Sequence, residues 1–587
     1  MSVSMSSRPW LRSYPDGVPA DVAIPNTPVA DMLENAVKKW PARDALVFAL
    51  APGHHKVWTF TELWDEIERV SGGLSDLGMK HGDRIALYLP NCPQYIITYF
   101  AALRLGLTIV QISPLYLGDD LIFPIKDSGA KAIVTLDFLS HKLEEVWDRV
   151  PHPIVIVGRL KEEATFIPSL VVNGRLKKKG FDPSLPSKIP YTRFRDLRRS
   201  KSRPAKSKLD VSKDVAVFQY TGGTTGRPKA AMLTHRNLVA NAVQSRAWFV
   251  GAADGDEKVL AVIPFFHVYG MTVAMNFPLF YGATLVVSPD RPEPNSLLKF
   301  MVTYHPTQLP GVPALYAAIC NHPEAKNTDL RGVKICLSGS APLPVEVWKK
   351  FEELTGANLI EGYGLSEASP ATHANPVQGK KKIGSIGLPL PSTESRVVDP
   401  NDPSKEMPQG QEGELAIRGP QIMLGYWNRP EETANVLKNG WLITGDIAKV
   451  DEDGYAYIVD RKKDLILVGG FNVYPREVEE VLYQHPQIAE AAVIGVPHDT
   501  LGEVVKAFVV AKPGTHPTDQ EIIDFVKSKI AHFKAPRSVE FRESLPKTLV
   551  GKVLRRELRE GTGSSKTEVS VATTAGASVP PAVVAAR

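Results

Sequence analysis

The chain has little cysteine and no long unbroken apolar run. Its three cysteines, Cys92, Cys320 and Cys336, lie far apart in 587 residues, so neither a disulfide framework nor a cysteine metal site is in prospect. A reducing, cytoplasmic setting fits that pattern. The stretch Tyr95 to Ile112 comes nearest to a membrane span, but Arg104 interrupts it, and a buried helix followed by a strand is expected. Met1 to Arg12 lacks the apolar core of a secretory signal, and the ending Ala585-Ala586-Arg587 is not a peroxisomal address. One-signed charge is also scarce: a net charge of +5 is small for this length and gives no case for nucleic acid. With 43% hydrophobic and 23% charged residues the composition is ordinary for a soluble globular protein, and the length calls for several folding units.

What is present begins with Tyr220-Thr221-Gly222-Gly223-Thr224-Thr225-Gly226-Arg227-Pro228-Lys229. The glycines free the backbone to turn N–H groups toward an anion, the threonines add hydroxyls, and Arg227 and Lys229 add positive charge. It is not a Walker loop, because Pro228 precedes the lysine and no Gly-Lys-Ser/Thr ending follows. The apolar run Val215 to Phe218 leads in and a helix-like segment follows, the context of a phosphate-holding loop. Farther on, Glu361-Gly362-Tyr363-Gly364-Leu365-Ser366-Glu367 offers a ring for stacking between two glycines and a hard oxygen ligand suited to magnesium. Trp441 to Asp446 ends in an aspartate able to bond vicinal hydroxyls, though an aspartate in a turn also serves as a local cap.

Along the chain, short β-branched runs alternate with helix-like segments from Ala45 onward, which means parallel sheets covered by helices. Thr61 is the expected cap of the helix that starts near Phe60. The expected organisation is an N-terminal arm at 1–44, a large domain at 45–460, a small α+β domain at 461–560 and a disordered tail at 561–587. Gly/Pro-rich text between Gly384 and Asp446 suggests short antiparallel strands, a small β-barrel-like subdomain of the large α/β domain. The rhythm breaks at 158–210, where Arg175, Lys177, Lys178, Lys179, Arg193, Arg195, Arg198, Arg199, Lys201, Arg203, Lys206 and Lys208 are interleaved with Phe166, Phe181, Tyr191 and Phe194. Two readings stand: a solvated insertion, or a peripheral contact with anionic membrane lipid.

Together these motifs resemble the adenylate-forming superfamily of acyl-CoA synthetases, luciferases and peptide-synthetase adenylation domains, from about Ala45 to Leu558. Within it the chain is most similar to bacterial long-chain fatty acyl-CoA synthetases, on Asp460-Arg461-Lys462-Lys463-Asp464 through Val473-Tyr474-Pro475, Gly384 to Pro389, and Met232 to Asn237. The resemblance implies a ligase using ATP, Mg²⁺ and CoA on a fatty acid, through an acyl-adenylate. It places ATP phosphates on Thr221, Gly222, Gly223, Thr224, Thr225, Gly226 and Lys229, and adenine between Gly339-Ser340-Ala341 and the Glu361, Gly362, Tyr363, Gly364 stretch. It further implies an α-phosphate contact at Ser366, ribose contacts at Asp446 and Arg461, and magnesium ligands at Thr221 and Glu367. Lys463 stands at the hinge of a mobile C-terminal domain, and Lys552 matches the catalytic lysine of adenylation. His267, Val268, Met271, Val312 and Gly339 match an acyl pocket, with His267 also at the chemistry, and Gly469, Gly470 and Phe471 match the CoA face. Ala230, Ile443 and Leu467 depart from the usual glycine, histidine and lysine of the superfamily; none removes a reacting group. A medium-chain or aryl (4-coumarate-like) CoA ligase, a fatty acyl-AMP ligase and a non-catalytic nucleotide-binding module remain as alternatives. Oligomeric state, a homodimer included, is left open.

Overall fold

Strands such as Thr108–Ile112 and Ala132–Leu136 are buried at every position, the mark of parallel strands covered on both faces. The computed structural model describes residues 8–163, 166–221, 228–289, 293–548 and 551–561. The chain divides into two compact units, Met1–Lys463 with Leu549–Lys552, and Asp464–Thr548 with Val553–Arg587.

The first unit holds two large sheets. One has seven strands in the order Thr192–Arg193, Ile154–Gly158, Ala132–Leu136, Arg84–Tyr88, Thr108–Ile112, Val215–Thr221 and Lys229–Thr234, all parallel except the final hairpin. The other has nine strands with a parallel centre through Asn358–Gly364, Ile335–Ser338, Gln308–Gly311, Lys258–Ala261, Thr284–Val287 and Asp44–Ala51, and antiparallel strands at both edges. The helix Pro93–Arg104 is buried from Pro93 to Leu103, so the most membrane-like stretch is core helix and strand. Among the described residues no helix is long and apolar enough to cross a membrane. Gly/Pro-rich residues beyond Glu394 form a five-stranded antiparallel sheet, built on Glu394–Val398, Gly413–Arg418 and Trp441–Val450.

One local expectation is corrected and two are made more specific. The cap of helix Phe60–Asp76 is Thr59, not Thr61: Glu62 lies three residues after Thr59, so hydroxyl and carboxylate bond each other's backbone N–H groups reciprocally. Thr61 donates instead to the Pro41 carbonyl. Part of the N-terminal arm is a helix, Val29–Lys39, whose Val29, Ala30, Leu33 and Ala36 enter the core.

The basic insertion keeps most of its charges in solvent, with Lys177, Lys178, Lys179, Arg195, Arg199, Lys201, Arg203, Lys206 and Lys208 exposed, but it is anchored in the fold at a few points. Thr192–Arg193 extends the seven-stranded sheet and Phe194 is fully buried. Arg198 pairs with Glu163 at 2.5 Å and Glu66 at 2.7 Å. Leu197 and Ser202 pack so closely on helix Phe60–Asp76 that a Cβ at Gly72 or Gly73 would lie 2.3 or 2.6 Å from them. Only glycine fits at that crossing.

The second unit is a small α+β domain. Phe471–Val473, Ile466–Val468, Gly502–Ala511 and Ile488–His498 form an antiparallel sheet, with Ser538–Phe541 added in parallel. Helices Pro475–Tyr483 and Asp519–Lys527 bury Val478, Leu482, Ile522 and Val526 on it. The final helix is held by Arg555 on Glu479 at 2.8 Å and Arg559 on Asp464 at 2.9 Å.

Candidate active site

Parallel strands of both large sheets end on one set of loops, the usual place for a site in an α/β fold. Val215–Thr221 leads into the Gly/Thr loop, of which Gly222, Gly223, Thr224, Thr225 and Gly226 lie outside the described residues. Thr221 and Lys229, which flank it, are paired across the hairpin, and the Thr221 hydroxyl donates to the Lys229 carbonyl at 3.4 Å. Segment Leu424–Trp427 bonds along the returning strand, with Leu424 N–H on Met232 O, Met232 N–H on Gly425 O and Trp427 N–H on Ala230 O, each at 2.9 Å. That ladder sets Tyr426 between two groups of the site. Its ring lies 5.5 Å from the Lys229 ammonium, and its hydroxyl donates to Glu367 Oε1 at 2.6 Å. Burial first, then the Glu367 charge, pushes the Tyr426 hydroxyl far above its ordinary pKa, so it stays a donor. Tyr426 was missed in the sequence because its partner lies 59 positions away.

The stretch Glu361 to Glu367 behaves as its glycines suggest. Glu361 is opposite Ser338 in the parallel ladder, which brings Gly339-Ser340-Ala341 beside Gly362 and Tyr363. A Cβ at Gly364 would lie 2.1 Å from the Pro370 carbonyl oxygen, and one at Gly362 2.8 Å from Leu337, so the backbone is flush with its surroundings on both sides of Tyr363. The Tyr363 hydroxyl donates to Asp446 Oδ2 at 2.5 Å, and Arg461 Nε meets Asp446 Oδ1 at 2.7 Å. Burial and then Asp446 hold the Tyr363 hydroxyl well above its usual range. His373 packs edge-on to Tyr363 at 6.0 Å, and burial lowers its pKa to about 3, leaving a neutral ring behind the tyrosine. Ser366 and Glu367 follow in a short 3-10 turn, Ser366–Ala368.

His267 stands in the loop after strand Lys258–Ala261, as the N-cap of Val268–Met271. Its loop is riveted by buried amides: Asn91 Nδ2 donates to Ala261 O at 3.1 Å and Ile263 O at 2.9 Å, its Oδ1 accepts from Phe265 N at 2.7 Å, and Gln219 Nε2 donates to Phe266 O at 3.2 Å. His267 Nδ1 accepts from Tyr269 N at 3.2 Å, so the neutral ring carries its proton on Nε2. Burial foremost, and next the Lys552 ammonium, pushes the His267 pKa down to about 4. Lys552 belongs to the large unit by its contacts, and a Cβ at neighbouring Gly551 would lie 3.8 Å from Val312.

Beside this loop is a cavity of about 290 Å³ lined by Phe266, Ile263, Val312 and Leu315 on one side and by the helices after Leu136 and Gly158 on the other. Of the expected acyl-pocket residues, Val312 lines it; His267, Val268, Met271 and Gly339 do not. Met271 is instead fully buried, with Gln111 Nε2 on its sulfur at 3.4 Å. The helical stretch Val268–Phe280 that follows contains a π-turn at Thr272–Asn276, entirely buried.

In the small unit, Gly469 and Gly470 take positive φ values of 59° and 85° in the turn before Phe471. Phe471 is 61% exposed and packs on Phe533 at 5.1 Å, a partner that sequence reading missed. Lys463 sits in the turn Lys462–Asp464 where the two units meet in the chain.

Among the described residues no group of three or more His, Cys, Asp or Glu side chains could hold a metal by itself. Glu367 with Thr221 nevertheless suits magnesium, which takes one or two protein oxygens and completes its shell with phosphates and water. Tyr426 engages Oε1 of Glu367, and its second oxygen meets no protein donor among the described residues.

A hairpin whose strands flank the Gly/Thr loop, a glycine-flanked tyrosine bonded to an Asp–Arg pair and an apolar cavity lie in an α/β fold of helix-covered parallel sheets. The chain belongs to the AMP-binding enzyme family, whose model matches residues 33–427, followed by the AMP-binding enzyme C-terminal domain at 477–552. It is 42% identical over 556 residues to a long-chain-fatty-acid–CoA ligase of Bacillus subtilis, covering 94% of this chain and 98% of that one. It is 40% identical over 559 residues to the Escherichia coli O6:H1 protein of the same name, with the same coverage. Among solved structures it is similar to the anthranilate CoA ligase AuaEII in complex with anthranoyl-AMP (TM-score 0.80, 26% identity, 92% of this chain and 98% of that one). ATP-bound MatB from Rhodopseudomonas palustris is similar too (TM-score 0.77, 29% identity, 91% and 99%).

Proposed function

We propose that the protein joins long-chain fatty acids to coenzyme A, converting ATP, fatty acid and CoA to acyl-CoA, AMP and pyrophosphate through an acyl-adenylate. The observation that carries this reading is the apolar cavity beside the His267 loop, whose walls suit a hydrocarbon chain. The names of the Bacillus and Escherichia relatives agree with it, and ATP-bound and adenylate-bound neighbours support the nucleotide.

The adenine lies between Gly339-Ser340-Ala341 and Tyr363, with Asp446 and Arg461 on the ribose. The loop Thr221 to Gly226 and Lys229 hold the phosphates, and Ser366 meets the α-phosphate. Thr221 and Glu367 hold magnesium, which when bound offsets phosphate charge. The fatty carboxylate attacks the α-phosphorus and pyrophosphate leaves; Lys552 stabilises the negative charge growing on the phosphoryl oxygens. Neutral His267, donating from Nε2, orients the acyl carboxylate without adding charge. A turn of the small unit about Lys463 then withdraws Lys552 and presents Gly469, Gly470 and Phe471 to the pantetheine arm. The CoA thiol, with a free pKa of about 8.5, loses its proton and attacks the adenylate carbonyl, expelling AMP.

Membrane lipid is the second partner, through the exposed run Lys177, Lys178 and Lys179 and neighbouring Val171. Arg198 and Phe194 are excluded from that surface by their burial and pairing. Co-sedimentation with anionic vesicles tests this, and an unchanged bound fraction after replacing the three lysines by glutamine rules it out. For the ligase itself, AMP formation dependent on both ATP and CoA is measured across saturated, unsaturated and aromatic acids. Preference for aromatic acids would move the protein to the aryl ligases, and AMP release without need of CoA would make it an acyl-AMP ligase.

A further inference from the structure

The cavity has a second wall unlike the first. Helices Asp137–Glu144 and Phe166–Lys178, with the turn after the latter, contribute Leu139, Lys142, Val172, Leu176 and Lys179. These come from the seven-stranded sheet's side, whereas Phe266 and Val312 come from the nine-stranded sheet. Lys142 and Lys179 are the charged side chains of the lining, and among the described lining residues no carboxylate accompanies Lys142. Lys142 is half-buried, and its neighbour Glu144 is already taken up by His141 and by the Ser187 and Lys188 N–H groups. Glu145 acts on Lys142 only at longer range, and burial still pushes the ammonium below its ordinary pKa. Among the described residues no ion pair meets the Lys142 ammonium.

A partly desolvated ammonium against hydrocarbon walls gains from an anion placed beside it. On the ligase reading above, on which this inference rests, the reacting carboxylate lies on the side of His267 and Lys552. The wall with Lys142 then meets the far end of the chain. A methyl terminus gives the ammonium nothing; a carboxylate there supplies its missing partner while methylenes fill the space between. We propose that the enzyme also activates long-chain α,ω-dicarboxylic acids, with Lys142 holding the carboxylate that does not react. The chemistry is unchanged: one carboxylate is adenylated and thioesterified, and the other stays ionised.

The test compares kcat/KM for hexadecanedioate and hexadecanoate, with CoA thioesters identified by mass. The wild type is expected to form thioesters from both. Lys142→Met lowers the diacid-to-monoacid ratio about tenfold, the scale of one charge-assisted hydrogen bond, and Lys142→Arg restores it. An unmoved ratio in Lys142→Met, or a wild type that turns over hexadecanoate but not hexadecanedioate, overturns the proposal. Turnover of neither acid overturns the ligase reading and this inference with it.

Discussion

Replacing Tyr426 by phenylalanine removes one hydroxyl and leaves the ring under Lys229 in place. That hydroxyl donates to Glu367 Oε1 at 2.6 Å, and burial keeps it protonated at any working pH. A hydrogen bond to a charged group contributes about 1.5–3 kcal/mol net. At the low end of that range, loss of Glu367 orientation weakens Mg·ATP binding about tenfold. The effect should appear in KM for Mg·ATP and in the magnesium concentration needed for half-maximal rate, with much less change in KM for the fatty acid. Calorimetric titration of Mg·ATP checks binding apart from turnover, and a thermal melt checks that the fold survives. A Mg·ATP affinity within twofold of wild type would refute the reasoning, because Glu367 would then need no holding.

Two further outcomes follow from buried charge. Burial holds His235 and His267 at about 4 and His373 at about 3, so as pH falls from about 6.5 the unfolded chain takes up protons before the folded one does. Stability therefore declines between about pH 6.5 and 4, and a melting midpoint that rises on acidification across that window contradicts these assignments. Arg198→Met leaves Glu163 buried without its strongest partner, which costs about 3–5 kcal/mol, and should lower the melting midpoint while leaving vesicle binding as it was. A loss of vesicle binding in a variant that melts normally would return Arg198 to the lipid-facing surface.

Much of the fold was legible because it is local. Thr108–Ile112 and Pro475–Tyr483 stand where β-branched runs and an amphipathic face with Pro475 at its start put them. The basic insertion was not, because its place depends on Gly72 and Gly73, more than a hundred residues earlier, being bare enough to receive Ser202 and Leu197. In the site, Asp446 and Tyr363 were each named from their own motifs, but nothing local shows that they share a hydrogen bond or that Arg461 closes the pair. Tyr426 carries no signature apart from its partners. Of the residues matched to an acyl pocket, Val312 lines the cavity and His267, Val268, Met271 and Gly339 lie outside its lining; the other walls come from segments after strands of two sheets, which no local motif joins.

The central claim is that Lys552 completes adenylation and has no part in thioester formation. The most direct measurement takes Lys552→Ala through each half-reaction: ATP–pyrophosphate exchange with hexadecanoate, and acyl-CoA formation from supplied hexadecanoyl-adenylate. Loss of a preorganised charge at the developing oxyanion predicts exchange slowed about a hundredfold or more, with the second half-reaction close to wild type. Equal losses in both, or exchange left intact, would contradict the claim.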